Sequence, residues 1–139
     1  MPLLPKRSPE PKSESVVQSE IRKALGSLPD VRLWRNNTGS IKDTRGVPVK
    51  FGLCVGSSDL LCIVAPRGRW LVIECKSEDW VPAKSGVRWE HEEEQRMFIG
   101  VIESMGGVGG FARSVSEAMG LVEKARHAIA QTPDTGRLL

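Results

Sequence analysis

The chain has 139 residues, of which 40% are hydrophobic and 27% are charged, a composition typical of one globular domain. It contains no apolar run near the ~18 residues that a membrane helix requires and no secretory signal at its start, so we expect a cytoplasmic protein without membrane contact. The formal charge of +3 is compatible with nucleic-acid binding but too small to establish it. Three cysteines without a C-x-x-C pair argue against a disulfide framework or a zinc site and are interpreted as core residues.

The two ends of the chain differ in composition from its middle. Residues 1–13 contain four prolines among lysines and serines, which predicts a disordered leader, because such a segment buries too little apolar surface to become ordered. Residues 129–139 are mostly polar and include Pro133 and Gly136, so they are predicted to form a flexible tail. The folded domain is therefore predicted to span residues 14–128.

The first part of this domain shows one helical pattern and one strand pattern. Apolar residues recur at helical spacing from Glu14 to Leu25, and Gly26 supplies a stop. Arg32–Arg35 alternates polar with apolar residues and is predicted to form a strand. The stretch Asn36–Gly52 that follows is rich in turn residues and is interpreted as a loop.

Two short apolar runs come next and predict a β-hairpin. Leu60–Val64 and Trp70–Ile73 flank the turn residues Pro66–Arg69, and both runs lack polar residues, so we expect both strands to be buried on both faces.

The last part of the domain alternates between helix and strand. Helical spacing returns from Trp89 to Met105 after a glutamate-rich first turn, and Val108–Ala112 is predicted to form a short strand. Ser114 and Glu117, at capping-box spacing, open a final helix. Strands with helices before and after them predict an α/β fold with a mixed central sheet flanked by helices.

Acidic residues lie at the same end of both hairpin strands. A turn with an even number of residues places Asp59 opposite Lys76 and Glu74 opposite Leu61, with the three polar side chains on one face. An odd turn would place Asp59 on the other face. Diagonal neighbours of an antiparallel pair are about 7–8 Å apart, near enough for two carboxylates to share one cation.

Two buried carboxylates are costly without a cation or protons to neutralise them, and this favours a divalent metal. Ligation by oxygen alone favours Mg²⁺, with Mn²⁺ able to substitute, and the carbonyl of Cys75 is a further candidate ligand beside Asp59 and Glu74. Lys76 is placed to orient an attacking water or to stabilise charge developing on a phosphate. This set of residues predicts hydrolysis of phosphodiester bonds.

Asp59, fourteen intervening residues and then Glu74-x-Lys76 resemble the PD-(D/E)xK nuclease superfamily. Further segments are similar to its VRR-NUC branch, in the small stand-alone form common in phages and bacteria. The resemblance covers about residues 14–113, and it depends on several motifs in order: Arg35-Asn36-Asn37-Thr38-Gly39, Phe51-Gly52-Leu53, Gly56-Ser57-Ser58-Asp59-Leu60, Ile73-Glu74-Cys75-Lys76 and Glu94-Gln95.

The resemblance implies a restriction-endonuclease-like three-layer sandwich. It also implies that Asp59 and Glu74 are metal ligands and that Lys76 is the catalytic lysine. Gln95 would orient the site from its helix and Glu20 would be the acid of the first helix; both lie on or beside an apolar helical stripe and should point inward. Ser58 departs from the family's usual proline and Cys75 from its usual aliphatic residue, but neither change removes a ligand.

The segment from Asp30 to Lys50 holds five basic residues against two acidic ones and is a candidate surface for the DNA backbone. The alternative is a loop whose charges only keep it soluble. The residues predicted to contact DNA are Arg35, Asn37, Lys42, Arg45 and Lys50.

Other charged residues of the last part are interpreted as solvated. His91, one turn before Gln95, could reach the site, but an exposed position is favoured. Glu92, Glu93 and Glu94 are interpreted as a solvated first turn without a catalytic role.

These observations predict a Mg²⁺-dependent DNA endonuclease in the cytoplasm of a bacterium or of a phage-infected host. From the family resemblance we expect a homodimer that is selective for branched DNA, such as Holliday junctions. Two alternatives remain open: a non-catalytic DNA-binding module of the same fold, and a sequence-specific restriction-like nuclease.

Overall fold

The computed structural model describes residues 1–127, so residue 128 of the predicted domain and the whole predicted tail lie outside the described part of the chain. Residues 1–13 form neither helix nor strand and are exposed. Across residues 1–127, no helix combines the length and the apolar character needed to cross a bilayer.

The described residues form three helices and six strands. The helices are α1 (Glu14–Gly26), α2 (Gly86–Ser104) and α3 (Val115–His127). The strands are β1 (Val31–Arg35), β2 (Gly39–Lys42), β3 (Pro48–Phe51), β4 (Leu60–Val64), β5 (Arg69–Cys75) and β6 (Val108–Ala112). The predicted cap of α3 is confirmed, since the amide of Glu117 donates a hydrogen bond to Ser114 Oγ at 3.1 Å.

Four strands form one mixed sheet in the order β1-β4-β5-β6. Strands β1 and β4 are antiparallel, as are β4 and β5, while β5 and β6 are parallel. The parallel pair follows from the connection through α2, which is long enough to return the chain to the same end of the sheet. The prediction of an α/β fold with a mixed sheet and flanking helices is confirmed.

Alternate residues of the strands face opposite sides of this sheet, as the two-residue repeat of a strand requires. On one side, Leu60, Cys62 and Val64 of β4 join the core with α1 and α3. On the other side, α2 packs on β5 and β6. Gly109 permits this close approach, because a Cβ atom there would lie 2.8 Å from Val72 and 2.9 Å from Ile99.

Helix α2 covers only part of its side of the sheet. It makes no close backbone approach to β1 or β4, and Leu61 and Ile63 of β4 are only half buried on that side. The prediction that both hairpin strands are buried on both faces is therefore wrong for β4, and it is wrong at Trp70 of β5, which is exposed. Apolar composition shows that a strand belongs to the core, but it does not show how far the neighbouring helix extends.

The stretch Asn36–Gly52, interpreted from the sequence as a loop, contains a second hairpin. Strands β2 and β3 pair with each other as a separate two-stranded sheet, in which Ser40 lies opposite Lys50 and Ile41 opposite Val49. Neither strand closely approaches another helix or strand within residues 1–127. Strands of four residues carry too short an alternating pattern to be separated from turns by sequence alone.

The cysteines do not share one environment. Cys62 and Cys75 are buried in the core as predicted, whereas Cys54 is exposed, so the interpretation of all three as core residues is wrong for Cys54. All three thiols are free.

Candidate active site

Asp59 and Glu74 lie side by side at one end of the sheet. Leu60 pairs with Ile73, and continuing that register by one residue places Asp59 opposite Glu74. The backbone amide of Cys75 donates a hydrogen bond to Asp59 Oδ2 at 2.8 Å, which fixes the carboxylate across the strand pair. The predicted approach of the two acids on one face is therefore present.

The exact pairing predicted for these strands is wrong by two residues. Leu61 lies opposite Val72 rather than Glu74, so Asp59 does not pair with Lys76. The turn occupies residues 65–68, because Arg69 joins β5 and pairs with Val64. The predicted turn and the observed turn both contain an even number of residues, so each side chain lies on the face of the sheet that was expected.

Glu74 is buried with only one of its carboxylate oxygens hydrogen-bonded. Its exposed fraction is 3%, and Gln95 Nε2 donates to Glu74 Oε1 at 2.7 Å. The other oxygen, Oε2, is buried and has no hydrogen-bond partner among residues 1–127. Burial, and then the nearby charge of Asp59, raise the pKa of Glu74 to about 9. The raised pKa favours the protonated form of Glu74 when no cation is bound.

Lys76 is held beside Glu74 by the side chain of Gln95. Lys76 is 7% exposed, and its Nζ donates to Gln95 Oε1 at 2.9 Å. The ammonium also lies over two aromatic rings, 5.6 Å from the centre of Trp80 and 5.5 Å from that of Phe111. These rings stack with centres 5.1 Å apart and provide a cation–π environment in place of water. The inward position predicted for Gln95 is confirmed.

Glu92 is a buried structural carboxylate, and its interpretation as part of a solvated first turn is wrong. Helix α2 begins at Gly86, three residues before the predicted start, so Glu92 lies in its second turn. The exposed fraction of Glu92 is 1%, and it accepts hydrogen bonds from Trp80 Nε1 at 2.9 Å and from the amide of Ala83 at 2.8 Å. Burial would raise the pKa of Glu92, but these hydrogen bonds outweigh it and the pKa is lowered. Glu92 thereby fastens the segment after β5 and holds Trp80 in its stack.

The acid of the first helix that lies beside the site is Glu14. Burial, followed by the charge of Asp59, raises the pKa of Glu14, and its carboxylate is one of the charges acting on Glu74. Glu20, the predicted acid, instead forms an ion pair with Lys12 at 3.1 Å, and its side chain is 41% exposed. Both glutamates lie on α1, and only the packing of that helix against the sheet separates their roles. The sequence signal available for Glu14 was its place in the first turn, directly after the capping residue of the helix.

A cleft of about 450 Å³ opens beside Lys76. His91 lines it, and its side chain is 61% exposed, as predicted. Its Nε2 also lies 3.3 Å from Gln95 Nε2, so this exposed histidine reaches the edge of the site. The cleft is large enough to admit a phosphate group with part of a nucleotide. Its other lining residues are Glu14, Ser77, Asp79, Trp80, Val81, Arg88 and Glu92.

The residues predicted to contact DNA lie away from this cleft, on β1 and the β2–β3 hairpin. Lys42 and Lys50 are exposed on one face of the hairpin, because Ser40 pairs with Lys50 and Lys42 pairs with Pro48. Arg45 is 79% exposed at the tip, where it forms an ion pair with Asp43 at 2.9 Å. Arg35, the last residue of β1, and Asn37, just after β1, are also exposed.

Asn36 holds the segment that carries Asp59 and is a site residue that sequence reasoning did not single out. Its backbone amide donates to the carbonyl of Asp59 at 2.8 Å, and its side chain donates to Ser57 Oγ at 2.7 Å and to the carbonyl of Ser58 at 3.0 Å. Three hydrogen bonds from one residue fix the position of Asp59 relative to β1.

The donor set at the acid pair fits a hard divalent cation. Asp59 and Glu74 offer carboxylate oxygens, and the unpartnered Glu74 Oε2 is a buried acceptor that a cation would satisfy. Within residues 1–127, no group of three or more acidic, histidine or cysteine side chains converges on one point, so water and substrate would have to complete the coordination. This is the usual arrangement for Mg²⁺, which binds through one or two carboxylates. The backbone of Cys75 is at the site, and its carbonyl as a ligand remains a prediction.

Comparisons of this chain with protein-family models, with curated proteins and with solved structures give no match. The function has to be argued from the geometry and chemistry of the site itself.

Proposed function

We propose that this protein is a Mg²⁺-dependent endonuclease that hydrolyses phosphodiester bonds in DNA, with Mn²⁺ able to replace Mg²⁺. The observation that carries the proposal is the unpartnered oxygen of Glu74, buried beside Asp59 and joined through Gln95 to Lys76. A buried glutamate beside a half-buried aspartate and an ammonium is unfavourable as a purely structural feature and useful as a cation site. We further propose the PD-(D/E)xK superfamily, its VRR-NUC branch and a restriction-endonuclease-like sandwich.

Each residue of the cluster has a distinct task in this proposal. Asp59 and Glu74 would hold the metal, which when bound supplies Lewis-acid activation of the phosphate and of water. Lys76 would stabilise negative charge that develops on the phosphate in the transition state. Gln95 keeps the ammonium and Glu74 at fixed positions because it accepts from one and donates to the other. Glu14 is positioned at the rim to receive a proton or to orient water.

The basic residues of the β2–β3 hairpin support DNA as the substrate. Lys42 and Lys50 share one exposed face, and charges on one face can follow a phosphate backbone. Residues 1–127 form a small fold without a separate module for reading base sequence, which favours recognition of DNA shape. We therefore propose branched DNA as the preferred substrate and a homodimer as the acting form, in the cytoplasm.

The test is cleavage of labelled junction, flap, single-stranded and duplex DNA, with Mg²⁺ titrated and with a chelator as blank. We expect cleavage that needs the metal and that falls at least ~100-fold in Glu74→Gln and in Lys76→Ala, because both remove stabilisation specific to the transition state. Glu103→Gln and Lys84→Ala, which change exposed residues, are matched controls and should cleave like the unaltered protein.

Calorimetric titration with Mg²⁺ gives a readout that does not depend on turnover. Binding to the unaltered protein that is lost in Glu74→Gln would support the cation site. DNA binding without metal-dependent cleavage of any substrate would favour the non-catalytic module, and cleavage retained by Glu74→Gln would refute the assignment of the site.

A further inference from the structure

One part of the sheet surface is open and carries two exposed tryptophans. It is the side facing α2, in the area of β1 and β4 that α2 does not cover. Trp34 and Leu61 are paired there, as are Ile63 and Trp70. Trp34 is 53% exposed and Trp70 is 48% exposed, so each presents much of a large ring to solvent. Such an area is costly to leave in water unless something binds to it.

The distance between Trp34 and Trp70 suits a ligand with repeating flat groups. Trp34 and Trp70 lie in neighbouring rows of paired residues. Arg32, two residues before Trp34 on β1, is opposite Ile63, and Ile63 in turn pairs with Trp70. Two strand spacings across and two residues along give a separation of roughly 12 Å between the backbone positions of the tryptophans. Two bases of an extended strand, one or two nucleotides apart, can span that distance.

A cavity adjoins the second tryptophan. It has a volume of about 430 Å³ and is lined by Trp70, Arg67, Ile102 and Met105, with Arg69 at its edge. Arg67 is exposed at the turn between β4 and β5. An aromatic ring, apolar walls and a guanidinium together suit a nucleobase with its phosphate.

The charge around this open surface favours a polyanion. Residues 31–73, which include β1, the β2–β3 hairpin, β4 and most of β5, hold seven lysines and arginines and two acids, Asp43 and Asp59. Asp43 is already paired with Arg45. An apolar surface within such a basic region is not suited to a basic peptide, and it is suited to bases joined by phosphates.

We infer that this open surface, defined by Trp34, Leu61, Ile63 and Trp70, binds single-stranded nucleic acid. One base stacks on Trp34 and another on Trp70, and Arg67 contacts the phosphate backbone. Unpaired bases are required, because the bases of a duplex already stack on one another and present only their edges.

The open surface also leads toward the acid pair. Asn36 lies two residues after Trp34, and its backbone amide donates a hydrogen bond to the carbonyl of Asp59. The row of paired residues that follows the row of Trp34 therefore contains Asp59 of the site. A strand lying over the tryptophans would pass toward Asp59 and Glu74. This link to catalysis rests on the proposed function, whereas the binding itself does not.

The test is fluorescence anisotropy of labelled twelve-nucleotide oligo(dT), oligo(rU) and a blunt duplex, with a chelator present so that no cleavage occurs. We expect both single strands to bind more tightly than the duplex. Trp34→Ala and Trp70→Ala should each weaken single-strand binding at least about fivefold, the loss that removing one stacked base typically causes. Arg67→Ala should weaken it and reduce its salt dependence.

The matched control is Trp89→Ala, which removes a tryptophan that is 41% exposed on α2, away from the open surface. Circular dichroism should show the same fold for all variants, because none of the replaced side chains belongs to the buried core. Equal affinity of Trp34→Ala, Trp70→Ala and Trp89→Ala would overturn the inference. So would a shift from dimer to monomer in Trp34→Ala or Trp70→Ala by analytical ultracentrifugation, since the surface would then be covered by a second copy. If the unaltered protein binds single strands through these tryptophans but cleaves no DNA, the proposed nuclease function is refuted and the inference of single-strand binding stands.

Discussion

Replacing Glu74 by glutamine should make the metal-free protein more stable at neutral and alkaline pH. The pKa of Glu74 is raised from 4.5 to about 9, first by burial and then by the charge of Asp59. The folded protein therefore holds a proton that the unfolded chain has released. For one such proton the free energy of unfolding falls by about 1.4 kcal/mol per pH unit as the pH rises between these two values.

From pH 5 to pH 8 this slope amounts to about 4 kcal/mol at most, and we expect roughly 1–4 kcal/mol, because Glu74 is coupled to the neighbouring charge of Asp59 and the site can relax. Glutamine keeps the shape of the side chain and has no proton to lose. The stability of Glu74→Gln, measured relative to the unaltered protein, should therefore increase steadily with pH.

The measurement is urea denaturation at half-unit pH intervals with a chelator present. Subtracting the two curves removes the pH dependence that the two proteins share. A difference in stability that stays constant across this range would refute the reasoning. Repeating the series in Mg²⁺ should reduce the advantage of the variant most at high pH, since the cation stabilises the form that has lost the proton.

Three further variants test what stabilises the fold, two of them beside the site and one on α3. Glu92→Ala should lower stability by about 1–3 kcal/mol in urea denaturation, because it leaves the half-buried indole N–H of Trp80 and a neighbouring amide unpaired; an unchanged midpoint would contradict the role given to Glu92. Gly109→Ala should cost about 1–3 kcal/mol, since its Cβ would lie 2.8 Å from Val72, and thermal unfolding will show whether the sheet can yield. Gly120→Ala, in α3 with nothing within 4 Å of the new atom, should raise stability by about 0.5–1 kcal/mol, and a loss there would mean that the helix is constrained in another way.

The chemistry-bearing strands could be predicted because their signal is local. Uninterrupted apolar runs mark β4 and β5, and the parity of the turn alone decides that Asp59 and Glu74 share a face. The position of the turn cannot be read in the same way: the predicted turn, Pro66–Arg69, and the observed turn, residues 65–68, both have four residues, and moving the centre of the turn by one residue shifts every pair by two. The pairing was therefore predicted two residues out while its chemical consequence was correct.

The residues that escaped prediction depend on contacts between distant segments. Glu92 resembles its exposed neighbours in sequence, and it is buried because the segment after β5 folds back and brings Trp80 and Ala83 to it. Glu14 and Glu20 lie on the same helix, and only the docking of that helix decides which one meets Asp59. Helical spacing identifies the inward stripe of a helix, but not the end that approaches a particular strand.

One orientation of the Gln95 side-chain amide provides the hydrogen bonds to both Glu74 and Lys76. Its oxygen faces the Lys76 ammonium and its nitrogen faces Glu74, so a half-turn of the group would bring donor to donor and acceptor to acceptor. Glutamate in its place would repel Glu74, leucine would satisfy neither neighbour, and asparagine would be one methylene too short to reach both. One uncharged side chain thus determines which side of the cluster receives a donor and which receives an acceptor. Position 95 therefore tolerates few substitutions.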